Sequence, residues 1–229
     1  MHKIDSLSHS FFHLLSSASS KSKNSVCIGI ASANRQEGRT FIAESLAISA
    51  ALNSSLKLAL VDADLKGRSL TLSRGAVNAI GVSDVLSAGS SSAEFIKTSI
   101  SNLVFVGAGR NPDPSLLYKT EALSRLLYSL TSERQAVLLD MPSFREGAEP
   151  ILSALDHVLI VVDASRTPRS DVQDLVDAIP EPKRWGVVLN KAPVRAPKSA
   201  LRSRGSGGDH LGRHVSSNPN AEPGGANGP

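Results

Sequence analysis

Residues 33–40 read Ala33-Asn-Arg-Gln-Glu-Gly-Arg-Thr40, and this stretch decides the fold. Its spacing is that of a phosphate loop, in which consecutive backbone N–H groups and the first turn of a helix face an anion while a Thr hydroxyl ligates Mg²⁺. Gly38 and Thr40 meet those needs, and Ala33, Asn34, Arg35, Gln36 and Glu37 supply the rest of the cradle. Arg39 stands where such loops carry a lysine. It keeps the charge but replaces a compact ammonium with a planar guanidinium, so it is expected to touch the phosphates without sitting between the β and γ groups as lysine does. A phosphate loop needs a buried strand before it and a helix after it. Residues 25–31 form a near-continuous apolar run, and residues 39–52 place Ile42, Ala43, Leu46, Ala47 and Ala50 on one helical stripe.

Working outward, Leu58-Ala-Leu-Val-Asp-Ala-Asp-Leu65 is a second apolar run, closed by Asp62 and Asp64. On an extended strand end this i, i+2 spacing points both carboxylates the same way, toward the edge where open α/β sheets bind ligands. Either one read separately also serves as a helix cap. Ala136-Val-Leu-Leu-Asp-Met-Pro142 ends in Asp140, which reads as a Walker B carboxylate for Mg²⁺. Residues 157–163 and 185–191 give a fourth and a fifth strand, with a helix predicted over 170–179 between them. Asn190 is placed either to hydrogen-bond a purine or simply to end its strand in a turn, and both readings stand. No aspartate follows Lys191 at the guanine-reading position, which favours adenine. The pattern predicts an α/β fold: a P-loop NTPase-like, mostly parallel sheet with helices on both faces. The residues assigned to chemistry are Asp62, Asp64 and Arg39 as catalytic groups and Thr40, Asp62 and Asp140 as metal ligands.

From Ser25 to Ala192 the chain resembles the cytoplasmic domain of bacterial tyrosine kinases, the BY-kinase family of capsule and exopolysaccharide synthesis. The likeness rests on Gln36-Glu-Gly-Arg-Thr40, Asp62-Ala-Asp-Leu65 and Asp140-Met-Pro142, and on two stretches without chemistry, Gly81-Val-Ser-Asp-Val-Leu-Ser-Ala-Gly89 and Val106-Gly-Ala-Gly-Arg-Asn-Pro-Asp-Pro-Ser-Leu-Leu117. The resemblance implies ATP and Mg²⁺ as cofactors, a membrane-embedded polysaccharide co-polymerase or adaptor as partner, and self-association as a possibility. The departures are the lysine-to-arginine change at Arg39, the lack of a C-terminal tyrosine cluster (Tyr118 and Tyr128 are the only tyrosines) and the lack of the family's basic ring-forming helix. They imply a nucleotide-binding regulator with weak or absent tyrosine kinase activity. The alternatives are a working autokinase or ATPase, and a partitioning-type positioning ATPase. The last carries a signature lysine where this chain has Asn34.

The chain has 229 residues, 41 % of them apolar, enough for one sizeable core. Its single cysteine, Cys27, lies inside the first strand and argues for a reducing compartment. No apolar run reaches the roughly 18 residues of a membrane span, so a cytoplasmic protein held near the membrane by its partner is expected. Residues 1–24 are expected to form a helix and linker, and residues 193–229, rich in Gly, Ser, Pro and Asn, a disordered tail. Arg195, Lys198, Arg202, Arg204 and Arg213 against Asp209 and Glu222 give that tail +3 of the formal net charge of +4. The basic character therefore predicts no nucleic-acid-binding face on residues 25–192.

Overall fold

The computed structural model describes residues 25–88 and 92–192. The expected N-terminal helix and C-terminal tail lie outside the described residues. Seven strands form one sheet: β1 Val26–Ser32, β2 Leu58–Asp62, β3 Ile96–Lys97, β4 Leu103–Val106, β5 Ala136–Asp140, β6 His157–Asp163 and β7 Arg184–Asn190. Their order is β3-β4-β2-β5-β1-β6-β7, with every pairing parallel except the short antiparallel β3–β4. The helices are α1 Arg39–Leu52, α2 Ser69–Ser73, α3 Val82–Ala88, α4 Thr120–Ser132, α5 Glu149–Leu152 and α6 Arg169–Ala178. Five strands were expected, and β3 and β4 are the additions.

Alternation along each strand divides the core. Val26, Ile28 and Ile30 of β1, with Leu58, Leu60, Leu103, Phe105, Ala136 and Leu138, pack against Ile42, Ala43, Leu46, Ala47 and Ala50 of α1. The intervening residues Cys27, Ala31, Ala59, Val61, Val137 and Leu139 face the other way, onto Leu123, Leu126, Leu127 and Leu130 of α4, Ile151 of α5 and Leu175 of α6. Both faces of the central strands are thus covered, which explains why β1, β2 and β5 are buried along their whole length and read as apolar runs. At the edge, β7 keeps Val187 and Leu189 exposed.

The same topology collects the polar strand ends. In a parallel sheet all carboxyl ends lie along one edge, and β1, central between β5 and β6, delivers the loop 33–38 to that edge. Asp62 and Asp140 are register partners on neighbouring strands, and so are Asp163 and Asn190. Among the described residues no helix is long and apolar enough to cross a membrane.

Candidate nucleotide-binding site

The loop from β1 to α1 turns through two left-handed residues, Gln36 (φ 63°) and Gly38 (φ 96°). Glycine is required at the second. A Cβ at Gly38 would collide with the Asn190 side-chain amide, and the positive φ would strain any L side chain. Gly38 caps α1 without contributing a side-chain acceptor, and the first intrahelical bond runs from Ile42 N–H to the Gly38 carbonyl (3.0 Å). The N–H groups of the first turn, Arg39 to Phe41, therefore have no intrahelical acceptor and carry the positive end of the helix dipole. A cleft of about 730 Å³ opens there, lined by Arg35, Gln36, Gly38, Arg39, Thr40, Phe41 and Glu44 on one side and by Asp64, Ser69, Leu70 and Ser73 on the other. That size suits a nucleoside phosphate.

The loop is held from outside. Glu37 is buried and its Oε1 accepts from the Asn34 N–H (3.2 Å) and the Thr167 hydroxyl (2.7 Å). Asn190 donates its Nδ2 to the Glu37 carbonyl (2.8 Å), while its Oδ1 accepts from the Lys191 N–H (2.9 Å). Lys191 reaches back to the Gln36 carbonyl (2.6 Å) and to Asp163 (2.9 Å). Hydrogen bonds from Ser165, followed by that ammonium, draw the Asp163 carboxyl down to about 2. Asn34 gives its Nδ2 to Asp171 of α6 (2.8 Å), which also takes Arg145 (2.7 Å). Asn190 was read as a purine contact or as a strand terminator. In the structure its amide holds the loop backbone through Nδ2 and the following N–H through Oδ1.

Arg39 is the charged centre of the arrangement. The residue is 6 % exposed and lines the cleft, and its guanidinium is held by three acceptors of the site. Nε donates to Asp140 Oδ1 (3.1 Å), Nη1 to Ser32 Oγ (2.7 Å) and Nη2 to Asp64 Oδ2 (2.9 Å). The planar fork explains why arginine fits, since three donors on different edges meet three acceptors at once. Ser32, the last residue of β1, was not among the expected site residues. Its hydroxyl donates in turn to the Asn34 carbonyl (2.8 Å) and so ties Arg39 to the loop. Nothing in a lone serine at a strand end signals that part.

The two aspartates at the end of β2, Asp62 within it and Asp64 beyond it, do not act as a parallel pair. The strand stops at Asp62 and the chain turns, with the Leu65 N–H on the Ala63 carbonyl (3.0 Å) and the Arg68 N–H on the Asp64 carbonyl (2.8 Å). Asp62 Oδ2 accepts from the N–H (2.8 Å) and hydroxyl (2.7 Å) of Thr71 in α2, whose oxygen also accepts from the Ala108 N–H (2.8 Å). Asp62 Oδ1 is buried and has no hydrogen-bond partner. Burial, and after it the charge of Asp140, pushes the Asp62 carboxyl up to about 7. Asp64 divides its oxygens between Arg39 and the Gly67 N–H (2.8 Å). Asp140 is fully buried. Desolvation raises its affinity for a proton, against the pull of Arg39 and of Thr40 beside it.

Mg²⁺ is expected on Thr40, Asp62 and Asp140, and Asp62 Oδ1 and Asp140 Oδ2 are buried oxygens with no hydrogen-bond partner, on strand ends that are register partners. One oxygen of Asp140 and one of Asp64 are taken by the guanidinium, and one oxygen of Asp62 is taken by Thr71. Mg²⁺ demands near-octahedral oxygen ligands at about 2.1 Å. Among the described residues no group of three or more His, Cys, Asp or Glu is disposed to hold a metal ion.

No family model and no curated protein sequence matches the chain. Solved structures do match. The VpsO kinase domain is similar at 21 % identity over 83 % of this chain and 97 % of that one, with a TM-score of 0.66. The kinase domain of the Escherichia coli tyrosine kinase ETK is similar at 22 % identity over 78 % of this chain and 72 % of that one, with a TM-score of 0.65. The septum site-determining protein MinD from Pyrococcus horikoshii, solved with Mg-ADP, is similar at 21 % identity over 78 % of this chain and 76 % of that one, with a TM-score of 0.56. The chain therefore has the P-loop α/β fold that the kinase domains of bacterial tyrosine kinases share with MinD.

Proposed function

We propose that this chain binds an adenine nucleotide at residues 33–40 and acts as a BY-kinase-like regulator of exopolysaccharide or capsule synthesis or export, with weak or absent tyrosine phosphotransfer. One observation carries the reading: a glycine-turned helix N-terminus opens on a nucleotide-sized cleft, while the loop's cation is spent on Asp64 and Asp140. The first half of that arrangement is what a phosphate needs. The second withdraws the charge that phosphoryl transfer places on the γ-phosphate. In this reading the chain sits in the cytoplasm against a membrane co-polymerase or adaptor, and nucleotide occupancy sets its hold on that partner. Neither tyrosine is placed to be an efficient substrate in the same molecule. Tyr128 projects from α4, on the face of the sheet opposite α1, and Tyr118 lies just before that helix.

A positioning ATPase is the second reading, favoured by the likeness to MinD. Against it stands Asn34, which occupies the position of the signature lysine and is held internally by Asp171. Titration of the full chain with ADP and GDP in a calorimeter tests the proposal. Saturable binding that prefers ADP and is lost in Gly38→Ala is expected, together with unmodified Tyr118 and Tyr128 after incubation with ATP. Absence of binding to either nucleotide, or strong tyrosine phosphorylation of the purified chain, would overturn it.

A further inference from the structure

We infer that Thr71 is a positioning residue for Mg²⁺, a side chain that ligates nothing itself and fixes which oxygen of Asp62 is left for the cation. The inference rests on the nucleotide reading above and adds to it a residue from outside the phosphate loop. Two aspartates on neighbouring strand ends each have one oxygen held from within the protein and one without a partner. Asp140 gives Oδ1 to Arg39 and leaves Oδ2, while Asp62 gives Oδ2 to Thr71 and leaves Oδ1. Both residues are fully buried, and they are register partners in β5 and β2. An unpaired carboxylate oxygen is costly to bury, and two of them on adjacent strand ends, with Thr40 beside Asp140, are donors that suit a hard cation.

Asp62 by itself does not choose between its oxygens, because half a turn about χ2 exchanges them. Thr71 makes the choice. In α2 the first intrahelical bond runs from the Leu72 N–H to the Arg68 carbonyl (2.9 Å), so the Thr71 N–H has no acceptor inside its own helix. It goes instead to Asp62 Oδ2 at 2.8 Å, and the Thr71 hydroxyl goes to the same oxygen at 2.7 Å. The hydroxyl oxygen accepts the Ala108 N–H (2.8 Å) from the loop after β4, which commits its one proton to the carboxylate. Thr71 is fully buried and β-branched, so its side chain has little freedom to turn away. Two donors from one rigid residue therefore saturate Oδ2 and keep Oδ1 free.

The test compares the full chain with Thr71→Val, which keeps the shape and removes the hydroxyl, and with Thr71→Ser, which keeps the hydroxyl. Mn²⁺ is titrated with and without ADP and followed by electron paramagnetic resonance. Wild type is expected to take up one ion that Mg²⁺ displaces. Thr71→Val should bind it about tenfold or more weakly, the loss seen when a group that orients a metal ligand is removed, and Thr71→Ser should recover most of the affinity. ADP affinity in EDTA, measured by calorimetry, should agree within about twofold among the three chains. A Thr71 that only anchors α2 would lower the urea midpoint of Thr71→Val and leave its Mn²⁺ affinity unchanged. That result, an equal loss of ADP affinity in EDTA, or no Mn²⁺ uptake by wild type overturns the inference. If ADP binds under no condition the nucleotide reading fails, and the titration without nucleotide still decides the role of Thr71. If circular dichroism shows that Thr71→Val has not folded, wild-type crystals soaked in Mn²⁺ decide. Anomalous signal nearer Asp62 Oδ1 than Oδ2, with Oδ2 still on Thr71, supports the inference, and signal nearer Oδ2 overturns it.

Discussion

Arg39 brings one positive charge to a place where three aspartates converge, and the local energetics follow from that count. Breaking a buried ion pair by deleting one partner leaves an uncompensated charge in low dielectric, so Arg39→Ala should cost about 3–5 kcal/mol in urea unfolding. Arg39→Lys should cost less, because it restores charge but not the three-way fork. Loss of less than about 1 kcal/mol in Arg39→Ala would mean that the guanidinium is not the internal counter-ion. Asp62 gives a second prediction at this scale. Its carboxyl titrates near 7 in the folded chain against an ordinary value of 3.8, so the folded state holds the proton more tightly than the unfolded state. That contribution to stability is complete below about pH 4 and is lost as pH rises to about 7. Asp62→Asn, which cannot ionise, should flatten the stability profile across this window, and an unchanged slope in the variant would assign the proton elsewhere.

Among the elements, the loop between β1 and α1 depends on β7 for its shape, through Asn190 on the Glu37 carbonyl and Lys191 on the Gln36 carbonyl. Asn190→Ala should weaken ADP by about tenfold with no change in the ratio of ADP to GDP affinity, as expected for a clamp that pre-forms the cradle. A changed ratio would restore Asn190 to direct purine contact. What the sequence made legible and what it did not also separate at this scale. The span and buried stripe of α1 were readable from residues 39–52 because a glycine-turned loop and a 3.6-residue apolar period mark both its start and its inward face. β4 has only four residues and β3 two, too few for any period to register, and the sheet pairing that forms them comes from β2 for β4 and from β4 for β3. The aim of Arg39 was equally hidden. A motif gives residue types and spacing, whereas the direction of a long side chain depends on which acceptors the neighbouring strands deliver. Asp140 and Asp64 are 101 and 25 residues away in the chain.

For the whole molecule, the strand order places Ser32, Asp62, Asp140 and Asn190 at one edge of the sheet, and from that convergence a nucleotide site follows. The same fold serves kinase domains and MinD, so fold alone does not choose an activity, and the choice made here rests on the site. If Arg39 limits phosphoryl transfer, Arg39→Lys should raise ATP hydrolysis or phosphorylation of an added tyrosine peptide above wild type, read as product formed per enzyme. A variant less active than its parent would favour the working-kinase alternative. The most direct measurement is an experimental structure of the full chain crystallised with ADP and Mg²⁺. The account predicts the β-phosphate on the N–H groups that open α1, with Arg39 still hydrogen-bonded to Asp64 and Asp140. A guanidinium swung out of that pocket, or a β-phosphate bound away from residues 33–40, would contradict it.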